Sequence, residues 1–213
     1  MYDNKTIIIS CAGMGSRLGK GLPKALVEID GKKLIIRTLE MLRNCKDVRV
    51  VVGYKKEELI KVIKEYREDI KIYVNDNFMN TGAGASISLA VENANEYIIA
   101  MVGDLLIKPD DMKRILKQNG NFACLCKERT ENPIFATIKN EKIIGFSREF
   151  GDYEWIGVCQ MDSKKFIPGI KNIHSLFEKF LPADYLLLDA KEIDTPNDYD
   201  NAIKWLERQR KEN

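Results

Sequence analysis

Through its first 104 residues the chain alternates short apolar runs with segments of helical periodicity, and this alternation limits what it can fold into. TIIIS (6–10), VRVVVGY (48–54), IKIYVN (70–75) and YIIAMVGD (97–104) read as strands. Between them, KLIIRTLEMLRNC (33–45) and KEELIKVIKEY (56–66) carry apolar residues at helical spacing. GASISLAVENAN (84–95) reads as a third helix with small residues at its start. The order β-α-β-α-β-α-β predicts an α/β fold, Rossmann-like, with a mostly parallel central sheet in a three-layer α/β/α sandwich.

The second half is more mixed. PDDMKRILKQ (109–118), HSLFEKFL (174–181) and PNDYDNAIKWLERQ (196–209) read as helices, the last with Pro196 in its first turn. NFACLC, IFATIK, KIIGFS, WIGVCQM and YLLLD read as strands. No repeat, low-complexity stretch or linker divides the chain, so residues 1–213 are expected to form one domain.

Charge and cysteine usage narrow the function. With 34 basic against 32 acidic residues the net charge is +2, unlike the strongly basic domain of a nucleic-acid binder. No run approaches the roughly 18 apolar residues of a membrane span. The five cysteines are scattered and His174 is the one histidine, which argues against a zinc site or a disulfide framework. Free thiols fit a reducing cytoplasm.

In an open α/β sheet, ligands bind beyond the carboxyl ends of the strands. There lie residues 11–17, 53–54, 75–84 and 104. In CAGMGSRLGKGLPKAL (11–26), Gly13 and Gly15 let the backbone bend and a ligand approach closely. Exposed amides of such a loop form an anion-binding concavity. Arg17 offers a planar fork to phosphate oxygens and Lys24 a mobile point charge. The dinucleotide fingerprint fails at Leu18, and the P-loop pattern fails at Met14 and Gly21.

A-G-x-G-S-R-L followed by P-K-A-L resembles the signature of GT-A-like nucleotidyltransferases. These include sugar-1-phosphate nucleotidylyltransferases, phosphocholine cytidylyltransferases and the MobA-like guanylyltransferase. The resemblance implies an enzyme that joins a nucleoside triphosphate to a small phosphomonoester and releases pyrophosphate. It implies a nucleotide-binding half, 1–104, and an acceptor-binding half, 105–213, that completes the metal site. Ala12, Gly13, Gly15, Ser16 and Arg17 would hold the triphosphate, with Lys24 between the α-phosphate and the incoming phosphate. Lys20 reads as a solvated neighbour.

Thr81, Gly82, Ala83 and Gly84 would let a base lie flat against the backbone; the alternative is tight helix packing with a cap from Thr81 or Ser86. CTP is favoured, although these glycines do not themselves distinguish the bases. Asp104 and Asp194 would hold Mg²⁺, with Glu192 in reserve for Asp194, and Asp198 and Asp200 are expected to face water.

On the acceptor side, Arg148-Glu149 stands where sugar-handling relatives carry Glu-Lys, and EWIGV lacks their asparagine. Glu154 and Trp155, with Tyr153, are candidates to surround a cationic head such as choline; the alternative places Trp155 in a strand core. Phosphocholine and a sugar phosphate both stay open as acceptors. A glycosyltransferase of the same fold would carry D-x-D where this chain has GDLL. A nucleotide-binding module without turnover is the remaining alternative. The expected enzyme is cytoplasmic, with no nucleic-acid or membrane partner; homodimer formation is left open.

Overall fold

The computed structural model describes residues 2–127 and 130–212. In its first half, β1 (Lys5–Cys11) leads to the two-residue strands β2 (Glu28–Ile29) and β3 (Lys32–Lys33), then α1 (Leu34–Met41). β4 (Asp47–Val52), α2 (Lys56–Tyr66), β5 (Lys71–Val74), α3 (Ala83–Leu89) and β6 (Tyr97–Val102) follow. Next come β7 (Leu105–Ile107), α4 (Pro109–Lys117), β8 (Phe122–Cys126), β9 (Phe135–Lys139), β10 (Lys142–Ser147) and β11 (Tyr153–Asp162). The last elements are α5 (Ile173–Phe177), β12 (Asp184–Leu187), β13 (Ala190–Glu192) and α6 (Pro196–Glu212).

The main sheet runs β10-β9-β11-β6-β1-β4-β5, with β8 beside β11 and β12 beside β8. β6, β1, β4 and β5 are mutually parallel, as the alternation requires. β11 then joins β6 antiparallel and continues along β8 and β9.

β1 shows why helices cover both faces. Ile7 and Ile9 pack toward α1, α2 and α4, through Ile35, Leu39, Leu59 and Ile115. Ile8 points the other way, among Ile87 of α3 and Phe177 of α5. A side-chain period of two therefore divides one isoleucine run between two cores. Burying each such side chain contributes about 1.5–3 kcal/mol.

Three differences from the sequence reading have physical causes. α3 stops at Leu89 rather than 95 because buried Arg49 of β4 draws the next carbonyls out of the helix. Its Nη1 donates to Ala90 and Glu92 at 2.7 and 2.6 Å, and its Nη2 to Asn93 at 3.0 Å. α1 stops at Met41, and Arg67 donates to the carbonyls of Leu42 and Cys45 at 2.9 and 2.6 Å. The short strands β2, β3, β7 and β13 have too few residues for a legible period. All five cysteines are free and buried, and no helix among the described residues is long and apolar enough to cross a membrane.

Arg49 also donates twice to Asp47, at 3.0 and 2.7 Å. Burial alone would raise the Asp47 pKa, but hydrogen bonds from Arg49, Thr6 and Lys71 reverse this and hold it at about 2. Asp47 therefore stabilises the fold fully above the ordinary carboxylate range, near ~4, and loses that contribution as pH falls toward about 2. Arg49→Met is expected to cost about 3–5 kcal/mol in urea unfolding. Its stability should also fall less than the wild type's between those two pH values.

Candidate active site

The loop after β1 turns twice. Gly15 sits in the left-handed region at φ 61, and a 3₁₀ turn over Ser16–Leu18 ends at Gly19, φ 70. A Cβ at Gly15 would stand 2.5 Å from Lys24 Cγ, so the glycine also makes room for the lysine stem. After Pro23 a second 3₁₀ turn, Lys24–Leu26, carries Lys24 back under the first. Gly13, Gly15, Ser16, Arg17 and Lys24 then line a cavity of about 240 Å³. Ala12 does not line it; Ala12 is buried and its carbonyl accepts the Tyr54 amide at 3.0 Å.

Two acids close this cavity from far along the chain. β7 and β13 pair antiparallel, with Glu192 opposite Leu105, and the Ile193 amide donates to the Asp104 carbonyl at 2.9 Å. This short ladder sets Asp104 and Asp194 side by side. Lys24 Nζ lies 2.6 Å from Asp104 Oδ2 and 2.5 Å from Asp194 Oδ1, and Arg17 pairs with Asp194 Oδ2. Burial pulls the Lys24 pKa down, but the two carboxylates more than reverse it and hold the ammonium charged above its ordinary range.

Asp104 Oδ1 is buried and accepts no hydrogen bond. Asp194 Oδ1 is also buried, and Lys24 is its ion-pair partner. For Glu192, burial first, then the Asp104 charge, pushes its carboxyl up to about 8.

Asp194 is not spent as a helix cap. Thr195 and Asp198 form a reciprocal box at the start of α6. The Thr195 amide and hydroxyl donate to Asp198 Oδ2 at 2.8 and 2.9 Å, and the Asp198 amide donates back to Thr195 Oγ1 at 3.2 Å. Asp198 therefore turns inward, against the expectation that it faces water, while Asp200 is exposed. The T-x-x-D spacing was the signal that could have found this box.

A larger cavity of about 580 Å³ adjoins the first and shares Arg17, Ala83, Val102 and Asp194 with it. Glu154, Trp155, Glu192 and Arg148 line it. Glu154 is held by Thr130, whose amide and hydroxyl donate at 2.8 and 2.6 Å. Trp155 is largely buried, with its ring 6.3 Å from Phe146 and 5.7 Å from His174, so it is both a core residue and part of the wall. Tyr153 is not in this wall; it faces Tyr185 of β12, with ring centroids 6.0 Å apart.

Residues 81–84 come to the site only through Ala83, which lines both cavities. The Gly82 and Gly84 amides donate to the carbonyls of Ile170 and Lys171 at 2.9 and 2.8 Å. A Cβ on either glycine would lie within about 2.5 Å of the Lys171 carbonyl oxygen. Close packing against the 170–172 segment thus accounts for both glycines. Neither Thr81 nor Ser86 caps α3. Both accept from buried Asn75, whose Nδ2 lies 3.1 Å from each hydroxyl. The sequence reading missed Asn75 as the organiser of this loop.

Glycine-bent amides, two converging cations and two acids meet at the carboxyl edge of the parallel strands, the edge at which open α/β sheets bind their ligands. The sequence pattern of the MobA-like NTP transferase domain matches residues 7–145, and the chain belongs to that family. Among curated relatives, the bifunctional protein GlmU of Campylobacter curvus is 34% identical over 130 residues, 59% of this chain and 29% of that protein. GlmU of Thermosipho melanesiensis is 25% identical over 194 residues, 91% of this chain and 40% of its own length. The chain thus spans less than half of either.

Among solved structures, the CTP:phosphocholine cytidylyltransferase LicC of Streptococcus pneumoniae superposes with a TM-score of 0.74 at 23% identity, over 95% of this chain and 99% of that one. The inositol-1-phosphate CTP transferase of T. maritima gives 0.73 at 18%, over 96% and 97%. At such identities the likeness is one of fold.

Gly15→Ala combines a left-handed backbone with a clash on the Lys24 stem. It is expected to cost about 1–2 kcal/mol from the backbone alone, read by chemical denaturation.

Proposed function

We propose that this chain is a nucleotidyltransferase that moves a nucleotidyl group from CTP to phosphocholine or a chemically similar phosphomonoester, releasing pyrophosphate. The observation that carries this reading is the shared wall of the two cavities, where Arg17 and Asp194 face both. One cavity has the loop amides and cations suited to a triphosphate, and the other the room for an acceptor.

Two carboxylates suit Mg²⁺, which takes few protein ligands and completes its shell with water and phosphate oxygens. The unbonded Asp104 Oδ1 fits that use. Asp104 and Asp194 would hold the ion, which supplies charge neutralisation to the polyphosphate when bound.

The chain's own residues do the rest. Gly13, Gly15 and Ser16 present the phosphate cradle, and Arg17 steadies the departing pyrophosphate. Lys24 draws the α-phosphate and the acceptor phosphate together against their mutual repulsion. An acceptor phosphate oxygen forms the new bond to the α-phosphorus as the bond to the β-phosphate bridge breaks. No general base is required, because a phosphomonoester is already anionic near pH 7.

The larger cavity favours a cationic acceptor head. With Glu192 held mostly neutral by its raised pKa, Glu131, Glu154, Asp194 and Asp198 still outnumber Arg17 and Arg148 in its lining, and Trp155 offers a ring. The fold is shared alike with the S. pneumoniae CTP:phosphocholine cytidylyltransferase and the T. maritima inositol-1-phosphate CTP transferase, which supports CTP as the donor without choosing the acceptor. Asn132 and Asn172, in the same lining, support the second reading, a sugar phosphate held by its hydroxyls.

A pyrophosphate-release assay crossing four triphosphates with phosphocholine and glucose 1-phosphate should give its highest rate with CTP and phosphocholine; release with no pair would refute the assignment. Lys24→Ala should cut turnover by about 10²–10³-fold with the fold retained, as judged by circular dichroism. Asp104→Asn should lose metal-dependent turnover and, by calorimetry, Mg²⁺-dependent CTP binding.

A further inference from the structure

The reaction scheme leaves two neighbouring side chains without a task. Lys20 Nζ lies 3.6 Å above the centroid of the Tyr199 ring, on the first turns of α6. The Tyr199 hydroxyl donates to the Glu28 carbonyl at 3.0 Å, and its amide to the Thr195 carbonyl at 3.1 Å. The ring is therefore fixed from β2 and from the capping box before Lys20 reaches it. Its body packs on the cluster that buries Leu18.

The segment that Lys20 belongs to needs fixing. Gly15, Gly19 and Gly21 all adopt positive φ, at 61, 70 and 61, so the loop carrying Arg17 has three soft joints. The Arg17 side chain is 56% exposed. Without restraint, ordering this loop would be charged against ligand binding. Leu18 anchors its middle and the Arg17–Asp194 pair its inner side. The Lys20–Tyr199 contact is the third point, and it holds the stretch between Gly19 and Gly21.

We propose that Tyr199 is a positioning residue for triphosphate binding: its ring face holds Lys20 and so keeps the Arg17 loop over Asp104 and Asp194. Tyr199 itself touches no substrate. The inference rests on the reading of the smaller cavity as a triphosphate site.

Calorimetry with inorganic tripolyphosphate and with CTP, each with Mg²⁺, tests it. Lys20→Met and Tyr199→Leu should each weaken binding about 2- to 5-fold, the range expected of an exposed cation–π contact. The double variant should bind no more weakly than either single one, because both remove the same contact. Tyr199→Phe keeps the ring and should stay within about 2-fold of the wild type, which separates the ring's role from that of the hydroxyl bond to Glu28.

Weakening by Lys20→Met with unaltered affinity in Tyr199→Leu would overturn the proposal, since Lys20 would then act on the phosphates directly. Losses that multiply in the double variant would overturn it too. A wild-type protein that binds neither probe would refute the triphosphate reading itself, and this inference with it.

Discussion

Asp104 and Asp194 are ninety positions apart in the chain and side by side in the fold. Like charges about 4 Å apart repel by roughly 4 kcal/mol at the effective dielectric of a protein surface. Two devices meet that cost. The β7–β13 ladder supplies the covalent and hydrogen-bonded frame, and Lys24 supplies the opposite charge within 2.6 Å of both acids. The loop after β1, the capping box of α6 and the shared wall of the two cavities are all arranged around this one contact. Removing the lysine would leave two buried carboxylates with Arg17 as the remaining cation paired to either.

The contribution of each stretch to the site tracks how local its signal is. The convergence of Gly13, Gly15, Arg17 and Lys24 on one cavity was legible because the turns that bring them together are set within fourteen residues of sequence, from Cys11 to Lys24. Asp104 was legible because an apolar strand that ends on an acid is costly without a partner. The end of α3 was not, because Arg49 of β4 decides it from forty residues away. β7 and β13 were not, because three residues carry no measurable period and their pairing is set across the whole second half. Gly82 and Gly84 looked like a ligand surface because small residues have two uses, and sequence alone does not say which neighbour fills the space. Here the Lys171 carbonyl fills it.

The second half owes its shape to β11. Between Trp155 and Cys159 its register against β8 shifts, at Gly157. Beyond the shift β11 lies along β6, and before it along β9. Glu154 and Trp155 sit just before that fork, which is why both can be buried in a strand and still face a cavity. A strand in regular register would give them to the core alone. The same fork explains the loss of Tyr153, which lies on the side that meets Tyr185.

A small third cluster underlies the loop after β1, joining Leu18, Val27, Ile29 and Leu34 to Ala202 and Trp205 of α6. It belongs to neither of the two cores that sandwich the sheet. Damage to it would slacken the loop that carries Arg17 while most of the buried mass stayed intact. A genetic screen for inactive variants would then recover substitutions at Ala202 or Trp205 beside those at Lys24, and only thermal melts of the purified products would reveal that the two groups fail for different reasons.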